Sequence, residues 1–421
     1  MRTLIFSVLF ISMALPSNAQ NFFWDFEGPN GLDGWHNHDG TPLQTVPGAA
    51  SNTSLRVQTR PPVGLLDSSA FIYHLVPYDP NVFYHVTLWQ ETPSPSVLVR
   101  AFLGWIDTLA PPPNVIFGSS LSGDGTTSWA PMEHFQENSI PGSGAFCICL
   151  SASSPSFGEI FFDNISIEMV PQSSVMMRTP LLFLGGAIVG SSMTTHLSDQ
   201  GLVSLNEPYT ALGYPQIGGG GGEWCTPMVL DPGSLNQGVD WVRVELRSVA
   251  DPSVVLAARH LVLTEVGTTC DYNGQGMMSW NVPAGTYHVA VRHRNHLAAM
   301  TATAIALGHY YPTSTLDFRS TGFMTWGLNA RATSGAYMVL WPGNTNGDGV
   351  VKYTGAGNDR DPILQAIGGA VPTNTVVGVY NLNDVNMDGS IKYTGPDNDR
   401  DPILQTVGGT VPTSIRAQQL P

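Results

Sequence analysis

Two copies of one motif near the C-terminus decide how this part of the chain folds. Residues 344–372 read NTNGDGVVKYTGAGNDRDPILQAIGGAVP, and residues 384–412 read DVNMDGSIKYTGPDNDRDPILQTVGGTVP. The copies align without a gap, 40 residues apart, and 19 of 29 positions are identical. Such a repeat predicts two similar structural units that pack together, because one unit alone cannot bury its apolar face.

Each copy opens with oxygen-bearing side chains at alternate positions and then a glycine. These residues are Asn344, Asn346, Asp348 and Gly349 in the first copy, and Asp384, Asn386, Asp388 and Gly389 in the second. The spacing matches the opening of an EF-hand calcium loop, whose seventh position adds a backbone carbonyl, here from Val350 or Ser390. Calcium takes about six to eight oxygen ligands, so this opening supplies too few.

A second polar cluster in each copy is predicted to complete the calcium shell. The usual acid at position 12 is replaced by Gly355 and Gly395. The cluster that follows consists of Asn358, Asp359 and Asp361 in the first copy, and of Asn398, Asp399 and Asp401 in the second. The bidentate ligand is either the first or the second aspartate of each cluster. With neutral Asn344 at its first position, the first site is expected to bind calcium more weakly than the second.

A short helix is predicted after each loop. Asp361 and Asp401 each precede Pro-Ile-Leu, and aspartate at the N-cap with proline at the first helical position is a strong helix start. Glycine pairs at 368–369 and 408–409 are expected to end these helices after about two turns.

Two loop-helix units in tandem resemble dockerin type I modules, and the resemblance covers about residues 341–415. It implies Ca²⁺ as the cofactor of both loops and a fold that forms around the ions. The D-x-N-x-D-G opening is specific to such loops, whereas the insertion before the helix departs from the usual dockerin spacing.

Composition and the N-terminal segment indicate an exported protein. Residues 1–19 have the pattern of a signal peptide, with Arg2, an apolar core from Leu4 to Leu15 and a small-residue cleavage site. No later apolar stretch is long enough to predict a membrane span. The formal net charge of −15 argues against nucleic acid as a partner. We therefore expect a secreted protein, extracellular or at the cell surface.

Residues 20–170 show recurrent apolar runs between turn signals, which predicts a β-sandwich. The opening Trp24-Asp25-Phe26-Glu27-Gly28 and the closing strand Ile160–Ile165 resemble those of jelly-roll carbohydrate-binding modules found beside cellulases. The resemblance implies carbohydrate as a ligand and a structural calcium shared by Glu27 and Asp163.

Aromatic side chains of this domain are the candidates for sugar binding, because the C–H face of a pyranose stacks on an aromatic ring. The candidates are Tyr73, Tyr84, Trp89 and Trp105. In the strand 83–89, alternation places Phe83, His85, Thr87 and Trp89 on one face, which could line a groove. Tyr84, Val86 and Leu88 share the other face, which reads as core. An aromatic residue in the sandwich core is the alternative for each candidate.

After a linker at residues 171–178, residues 179–338 are predicted to form a second β-sandwich of immunoglobulin-like type. In the strand 241–247, Val242, Val244 and Leu246 should face the core, while Arg243, Glu245 and Arg247 face outward. Cys225 and Cys270 could form a disulfide in an oxidising compartment, with free buried thiols as the alternative.

The sequence therefore predicts a mainly β protein: an N-terminal jelly roll, a middle sandwich and a C-terminal module of two calcium loop-helix repeats. We find no catalytic motif with usable spacing. The favoured function is a secreted, non-catalytic, calcium-binding protein that binds carbohydrate through its jelly roll. One alternative is a cell-surface or matrix adhesin that binds a protein partner. Another is a polysaccharide hydrolase or its accessory subunit.

Overall fold

A computed structural model of the chain describes residues 21–27, 31–37, 42–46, 53–59, 71–93, 97–107, 114–136, 144–153, 158–309 and 315–421. The predicted signal peptide lies outside these ranges. The described residues are mainly β, which confirms the predicted fold class. No helix within them has the length and apolar character needed to cross a membrane.

The N-terminal region is a sandwich of two antiparallel sheets. Its strands are β1 Asn21–Trp24, β2 Trp35–Asn37, β3 Gln44–Val46, β4 Ser54–Thr59, β5 Phe71–Leu75, β6 Val82–Glu91, β7 Leu98–Asp107, β8 Asn114–Asp124, β9 Ala130–Gln136, β10 Ala145–Ser153 and β11 Gly158–Pro171. The first sheet has the order β3-β4-β11-β6-β9, and β1 also pairs with β11. The second has the order β2-β5-β10-β7-β8.

The core of this sandwich forms where the inner faces of the two sheets meet. On β6, Tyr84, Val86 and Leu88 point into it, as alternation predicts, and on β10 Ile148 and Leu150 do the same. Each is nearly or fully buried. Burial of an aliphatic side chain of this size is worth about 1.5–3 kcal/mol, so this alternation stabilises the sandwich.

The middle region is organised around one large sheet. Its elements are β12 Val175–Arg178, β13 Ile188–Val189, β14 Ser192–Met193, α1 His196–Asp199, α2 Pro227–Leu230, β15 Gly238–Arg247, β16 Val255–Thr264, β17 Thr269–Cys270, β18 Met277–Trp280, β19 Gly285–His293, β20 His296–Met300, β21 Ile305–Leu307, β22 Arg331–Ser334 and β23 Tyr337–Leu340. The large sheet has the order β17-β16-β15-β19-β20, with β21 also on β19. Two-stranded sheets, β12-β18, β13-β14 and β22-β23, accompany it.

The predicted linker at residues 171–178 is wrong for its second half, because residues 175–178 form a strand. Val175, Met176 and Met177 of β12 are at most 2% exposed and pair antiparallel with β18. The local sequence does not indicate a strand here, because three apolar residues beside serines also occur in loops. The N-terminal sandwich is consequently joined directly to the middle region.

The outer face of β15 is buried, whereas the sequence predicted that it would face solvent. Arg243, Glu245 and Arg247 do lie opposite the core face, but they are only 1–3% exposed. They are buried because they satisfy one another: Arg243 Nε lies 2.9 Å and Arg247 Nη2 2.7 Å from the Glu245 carboxylate. Buried charges are tolerated when they are paired in this way. Alternation predicted the face correctly but not what covers it.

The C-terminal repeats are interlocked by strand exchange. Their elements are β24 Val350–Lys352, α3 Arg360–Ala366, β25 Thr375–Val377, β26 Ser390–Lys392, α4 Arg400–Thr406 and β27 Ile415–Ala417. The strand that follows the first repeat, β25, pairs with β26 of the second, and β27 returns to pair with β24 of the first. This pairing runs to Ala417, past the predicted limit at residue 415. Neither repeat forms its sheet without the other.

The repeat helices have the predicted length but begin two residues earlier than the sequence suggested. Asp361 and Asp401 lie inside the first turn, so their predicted N-cap role is wrong. Asn398 makes the capping bond instead, because its Oδ1 accepts from Asp401 N at 3.0 Å. In the first repeat, Asn358 Oδ1 accepts from Asp361 N in the same way. The helix ends are as predicted: in the second copy Gly409 N donates to Leu404 O at 2.8 Å, with φ of +77° at Gly409.

All four cysteines are free thiols, so the predicted bond between Cys225 and Cys270 is wrong. Both residues are buried in the core of the middle region. Cys270 Sγ instead donates to Val262 O at 3.4 Å. Burial raises the pKa of Cys225 to about 12, which keeps this thiol protonated and unreactive at neutral pH.

A buried ion-pair group on the outer face of the first N-terminal sheet gives a pH-dependent contribution to stability. His85 on β6 lies 3.1 Å from Glu133 on β9 and 3.5 Å from Glu168 on β11. Burial lowers the pKa of His85, but hydrogen bonds and charges from the two glutamates outweigh burial and raise it to about 10. The stabilisation is therefore complete below about pH 6.5, the ordinary histidine pKa, and is lost as the pH rises through about 10.

We expect His85→Gln to destabilise the chain by about 2 kcal/mol at pH 6, since it leaves two partly buried carboxylates without their cation. The difference from the wild type should shrink between pH 6.5 and 10. Urea unfolding at pH 6, 8 and 10 measures this, with the half-buried His134→Gln as the matched control. A destabilisation that is equal at all three pH values would contradict the charged state of His85.

Candidate functional site

The second repeat brings the first group of predicted calcium ligands together in one loop. Asp384 is fully buried, and its two carboxylate oxygens accept from Asp388 N at 3.1 Å and Gly389 N at 2.9 Å. Asn386 Oδ1 also accepts from Asp388 N, at 3.1 Å, and Asp388 Oδ1 accepts from Ser390 N at 2.8 Å. These bonds turn the loop so that the side chains at positions 1, 3 and 5 lie inside it.

The first repeat has the same arrangement with neutral Asn344 in place of Asp384. Asn344 Oδ1 accepts from Gly349 N at 3.2 Å, and Asn346 Oδ1 accepts from Asp348 N at 3.0 Å. Val350 N donates to Asp348 Oδ1 at 2.7 Å. The two loops therefore differ mainly in one negative charge.

The second polar cluster closes each loop through its first aspartate. Asp399 is fully buried, and its carboxylate accepts from Val385 N at 2.6 Å and from Lys392 N at 2.8 Å. Asp359 makes the equivalent bonds, to Thr345 N at 2.9 Å and Lys352 N at 2.8 Å. In contrast, Asp401 is about half exposed and bonds to Asn398, as Asp361 does to Asn358. The geometry favours Asp359 and Asp399 as the inner acids.

Buried carboxylates lie close together in the second loop. Burial and the nearby Asp388 raise the pKa of Asp384, Arg294 and backbone N–H groups lower it, and the net value is about 7. Burial likewise raises the pKa of Asp399 to about 7, with Asp384 contributing. Carboxylates placed so close together favour either a shared proton or a bound metal ion.

The structure places two of the predicted sugar-binding residues in the interior. Tyr84 is 1% exposed in the sandwich core, and its hydroxyl donates to Pro77 O at 3.0 Å. Trp89 is 2% exposed, and its Nε1 donates to Asn273 O at 2.9 Å. The middle region therefore covers the face that was expected to form a groove, and neither ring is available to a sugar.

The other two predicted residues are also enclosed. Tyr73 is 8% exposed and belongs to a small apolar cluster with Phe71 and Phe102. Trp105 is partly buried, and its ring lies 4.9 Å from Tyr78 and 5.3 Å from Phe146. Packing among aromatic rings accounts for both residues.

The two predicted ligands of a structural calcium in the jelly roll have different surroundings. Asp163 is fully buried at a bulge in β11, where its Oδ1 accepts from Asn164 N at 2.7 Å. Glu27 is exposed and accepts from Thr53 N at 2.9 Å. Their shared calcium stays a prediction.

A different aromatic group lies at the junction between the N-terminal sandwich and the middle region. Trp224 is 43% exposed and Phe23 of β1 is 36% exposed, with ring centroids 5.7 Å apart. Tyr272 completes the group, 5.5 Å from Trp224. Its hydroxyl donates to Ser166 Oγ on β11 at 2.6 Å, which fixes the group across the junction.

Charged side chains adjoin these rings in a cavity of about 240 Å³, which we call the seam cleft. Its polar and aromatic lining includes Glu168, Glu223, Trp224, Arg259, Tyr272 and Ser279. Ser279 Oγ donates to Glu168 Oε1 across the junction at 3.2 Å. The cleft thus combines an exposed aromatic face with donors and acceptors of both charges, and it draws residues from two regions.

One group beside the seam cleft has the composition of a metal site but not its protonation. Among the described residues, Glu207, Glu223 and His260 place ligand atoms within 4.8 Å of one another. Arg243 Nη1 lies 3.1 Å from His260 Nε2, and His260 Nδ1 lies 2.7 Å from Glu223. Since the guanidinium can only donate, Nε2 must accept and Nδ1 carries the proton. The nitrogen that faces the two carboxylates therefore carries a proton, which a metal ion would have to displace.

The backbone of the five-glycine run at residues 218–222 holds these carboxylates. Gly221 N donates to Glu223 Oε2 at 2.7 Å and Gly222 N to Glu207 Oε1 at 3.0 Å. A Cβ on Gly220 would lie 1.8 Å from Ala258 O, so only glycine permits this close approach.

Sequence reasoning missed the seam cleft because its residues are far apart in the chain. Phe23, Trp224 and Tyr272 follow no common motif, and Glu168 belongs to a strand that reads as core. The one local signal is the Gly-rich run before Glu223 and Trp224, which indicates a tight loop that presents its final residues.

No known family matches this sequence, and no curated protein matches it. Among solved structures, about a third of the chain is similar to carbohydrate-binding modules. A family 16 module is 18% identical and has a TM-score of 0.25, covering 32% of this chain and 91% of that one. The CBM22-2 xylan-binding domain from Paenibacillus barcinonensis is 16% identical with a TM-score of 0.28, covering 35% and 99%. A CBM4 structure is 17% identical with a TM-score of 0.26, covering 33% and 97%. The ligands named for these modules are properties of those modules.

Proposed function

We propose that this chain is an extracellular calcium-binding protein that binds carbohydrate in the seam cleft. The observation on which the proposal rests is the exposed ring of Trp224 beside the charged lining of the cleft. A large aromatic ring left 43% exposed costs hydration free energy unless a ligand covers it. Sugars suit such a surface because one face of the ring is apolar and the hydroxyls need donors and acceptors.

The contacts around Trp224 support a pre-formed ligand surface. The T-shaped contact with Phe23 and the tilted contact with Tyr272 hold the indole in place. Glu223 is held by His260, and Arg259 Nη1 donates to Gly218 O at 3.1 Å. Side chains that are already fixed lose little conformational freedom when a ligand binds.

We expect Trp224→Ala to weaken the binding of an insoluble polysaccharide by tenfold or more, because loss of a stacked tryptophan removes about 1.4 kcal/mol or more. The measurement is depletion of the full-length chain from solution by a panel of glycans in calcium buffer. Trp105→Ala is the matched control and should bind as the wild type does.

The outcome for these two variants separates the seam cleft from the jelly-roll surface. If Trp105→Ala lost binding and Trp224→Ala bound as the wild type does, the binding site would lie on the jelly roll and not in the seam cleft. If the folded wild type is retained by no glycan, carbohydrate binding itself is overturned, and an adhesin with a protein partner takes its place.

A hydrolase is the second candidate, and one observation favours it. Asp271 also lines the seam cleft, and burial raises its pKa to about 7. Burial would raise the pKa of Glu223 too, but its bond to His260 lowers it below its ordinary value. Two carboxyl groups in one cleft whose pKa values are shifted in opposite directions are typical of glycoside hydrolysis. Release of reducing ends by the purified chain, lost in Asp271→Asn, would establish this function.

We further propose that both C-terminal loops bind calcium. It is supported by the convergence of Asp384, Asp388 and Asp399 and by the raised pKa of the two buried acids. Ca²⁺ would be held by the side-chain oxygens of positions 1, 3 and 5 and by the inner acid. Bound calcium would neutralise the loop and stabilise the contact between the repeats and the middle region.

A further inference from the structure

A second cavity lies between the large sheet of the middle region and the first calcium loop. Its volume is about 550 Å³, within the range of about 300–1,000 Å³ that is usual for small-molecule sites. Four of the chain's 17 basic residues line it, namely Arg243, Arg247, Arg292 and Arg294. Such a concentration is unexpected in a chain of net charge −15.

The register of the sheet forces like charges together in this cavity. Arg243 on β15 lies directly opposite Arg292 on β19. Like charges that face each other across antiparallel strands destabilise the sheet. The Glu245 carboxylate lies near both guanidiniums and offsets part of their repulsion, and an anion bound between the two arginines would offset more of it.

The carboxylates nearby do not balance the arginines. Glu245 is the one carboxylate among the described lining residues, and it is shared by three guanidiniums: Arg243 at 2.9 Å, Arg247 at 2.7 Å and Arg292 at 3.1 Å. Behind the cavity wall, Asp240 pairs with Arg294 at 3.0 Å. Asp384 of the second repeat also acts on Arg294. Four positive groups against these three carboxylates leave a surplus of about one positive charge in this partly enclosed space.

Arg292 is the arginine with donors left for a ligand. All three guanidinium nitrogens of Arg243 and of Arg247 have partners, including Pro215 O and Pro252 O. Arg292 Nε is near Glu245 but is not directed at it and makes no hydrogen bond within the described part of the chain. Arg294 Nη2 is likewise buried without a partner there. Buried donors of this kind are expensive unless a ligand satisfies them.

The remaining walls suit a sugar ring. Tyr214 forms one side, with the Arg243 guanidinium 5.4 Å from the centre of its ring. Asn346 and Gly347 of the first calcium loop form another and add an amide. We propose that this arginine pocket binds an acidic saccharide, with its carboxylate or sulfate held by Arg292 and Arg294 and its ring against Tyr214. Guanidinium groups pair with both oxyanions in the same bidentate geometry.

The proposal does not depend on the seam cleft, because the residues that line the two cavities are different. The probes are trigalacturonate, a sulfated disaccharide, neutral maltotriose and inorganic sulfate, each titrated by calorimetry into the full-length chain in calcium buffer. We expect trigalacturonate or the sulfated disaccharide to bind, with affinity that falls as salt is added. Maltotriose should not bind this pocket, and Trp224→Ala should leave the acidic titration unchanged.

Arg292→Gln is the test variant, and Arg100→Gln, at an exposed arginine on β7, is its matched control. Arg292→Gln should weaken acidic saccharide binding by about tenfold or more, the loss expected for one bidentate ion pair. Without ligand its melting temperature should stay close to that of the wild type, because Glu245 keeps its bonds to Arg243 and Arg247. The control should match the wild type in both measurements.

Three results would overturn the proposal. One is that neither acidic saccharide binds the folded wild type. Another is that Arg292→Gln binds them as tightly as the wild type does. The third is that inorganic sulfate binds while both acidic saccharides fail, which would reject the sugar and leave only a small-anion site.

Discussion

Adding calcium to the full-length chain will raise its melting temperature, and EDTA will reverse the rise. A ligand present at about 1,000 times its Kd stabilises the folded state by about 4 kcal/mol. That corresponds to a shift on the order of 10 °C for a domain of this size. The physical reason is the group of buried acids in the second loop, Asp384 and Asp399, whose charges a Ca²⁺ ion would neutralise.

Variants of the two loops should lose this calcium response to different extents. Asp384→Ala should abolish most of it, while Asn344→Ala at the same position of the first loop removes no charge and should lose less. Asp397→Asn is the matched control, because Asp397 is exposed and the first repeat has Gly357 in its place. An identical melting curve in calcium and in EDTA would refute calcium binding by either loop. Differential scanning calorimetry of the whole chain makes the measurement.

The second large effect is expected at Asp240, where the C-terminal repeats meet the middle region. Asp240 is fully buried and receives hydrogen bonds from Arg294 Nε at 3.0 Å and from the Tyr380 hydroxyl at 2.5 Å. Arg294 in turn stacks on the Tyr380 ring at 4.2 Å. Asp240→Asn leaves the buried guanidinium without its counter-charge, which costs about 3–5 kcal/mol.

Tyr380→Phe is the comparison for this prediction, because it removes one hydrogen bond and keeps the ion pair. Its cost should be about 1 kcal/mol. Burial alone would raise the pKa of Asp240, but the charge of Arg294, the charge of His293 and the hydrogen bonds that Asp240 accepts together outweigh burial and lower it. The stabilisation is thus present above about pH 4, the ordinary aspartate pKa, and is lost only as the pH falls below it. Urea unfolding at pH 7 that gave equal losses for both variants would argue against a buried ion pair.

Contacts of this kind also show that the repeats are built onto the middle region. Asn295 Nδ2 donates to Asp384 O at 2.7 Å, and Gln200 Nε2 donates to Asp388 O at 2.9 Å. Both acceptors are backbone carbonyls of the loop that opens the second repeat. Calcium in that loop would therefore act on the junction as well as on the repeat itself.

Local sequence predicted the elements whose structure depends on nearby residues. The calcium-loop openings, the two short helices, the glycine helix ends and the alternation of Tyr84, Val86 and Leu88 follow from spacing alone. The cap at Asn398 was missed because Asp401-Pro402 is an equally good helix start by sequence, and only the observed backbone distinguishes them. The domain limits and the calcium shell stay predictions.

What the sequence by itself determined is the mainly β character of the chain and the position of two acid-rich loops, since residue period and loop spacing are local properties. Tertiary structure decided which faces are covered. Trp89 shares a strand face with His85. Asn273, almost two hundred residues later in the chain, covers Trp89 and accepts its indole hydrogen bond. The seam cleft and the arginine pocket arise in the same way, because distant segments supply their walls. Periodicity reports which side chains share a face, and only packing determines whether that face meets water, a ligand or another part of the chain.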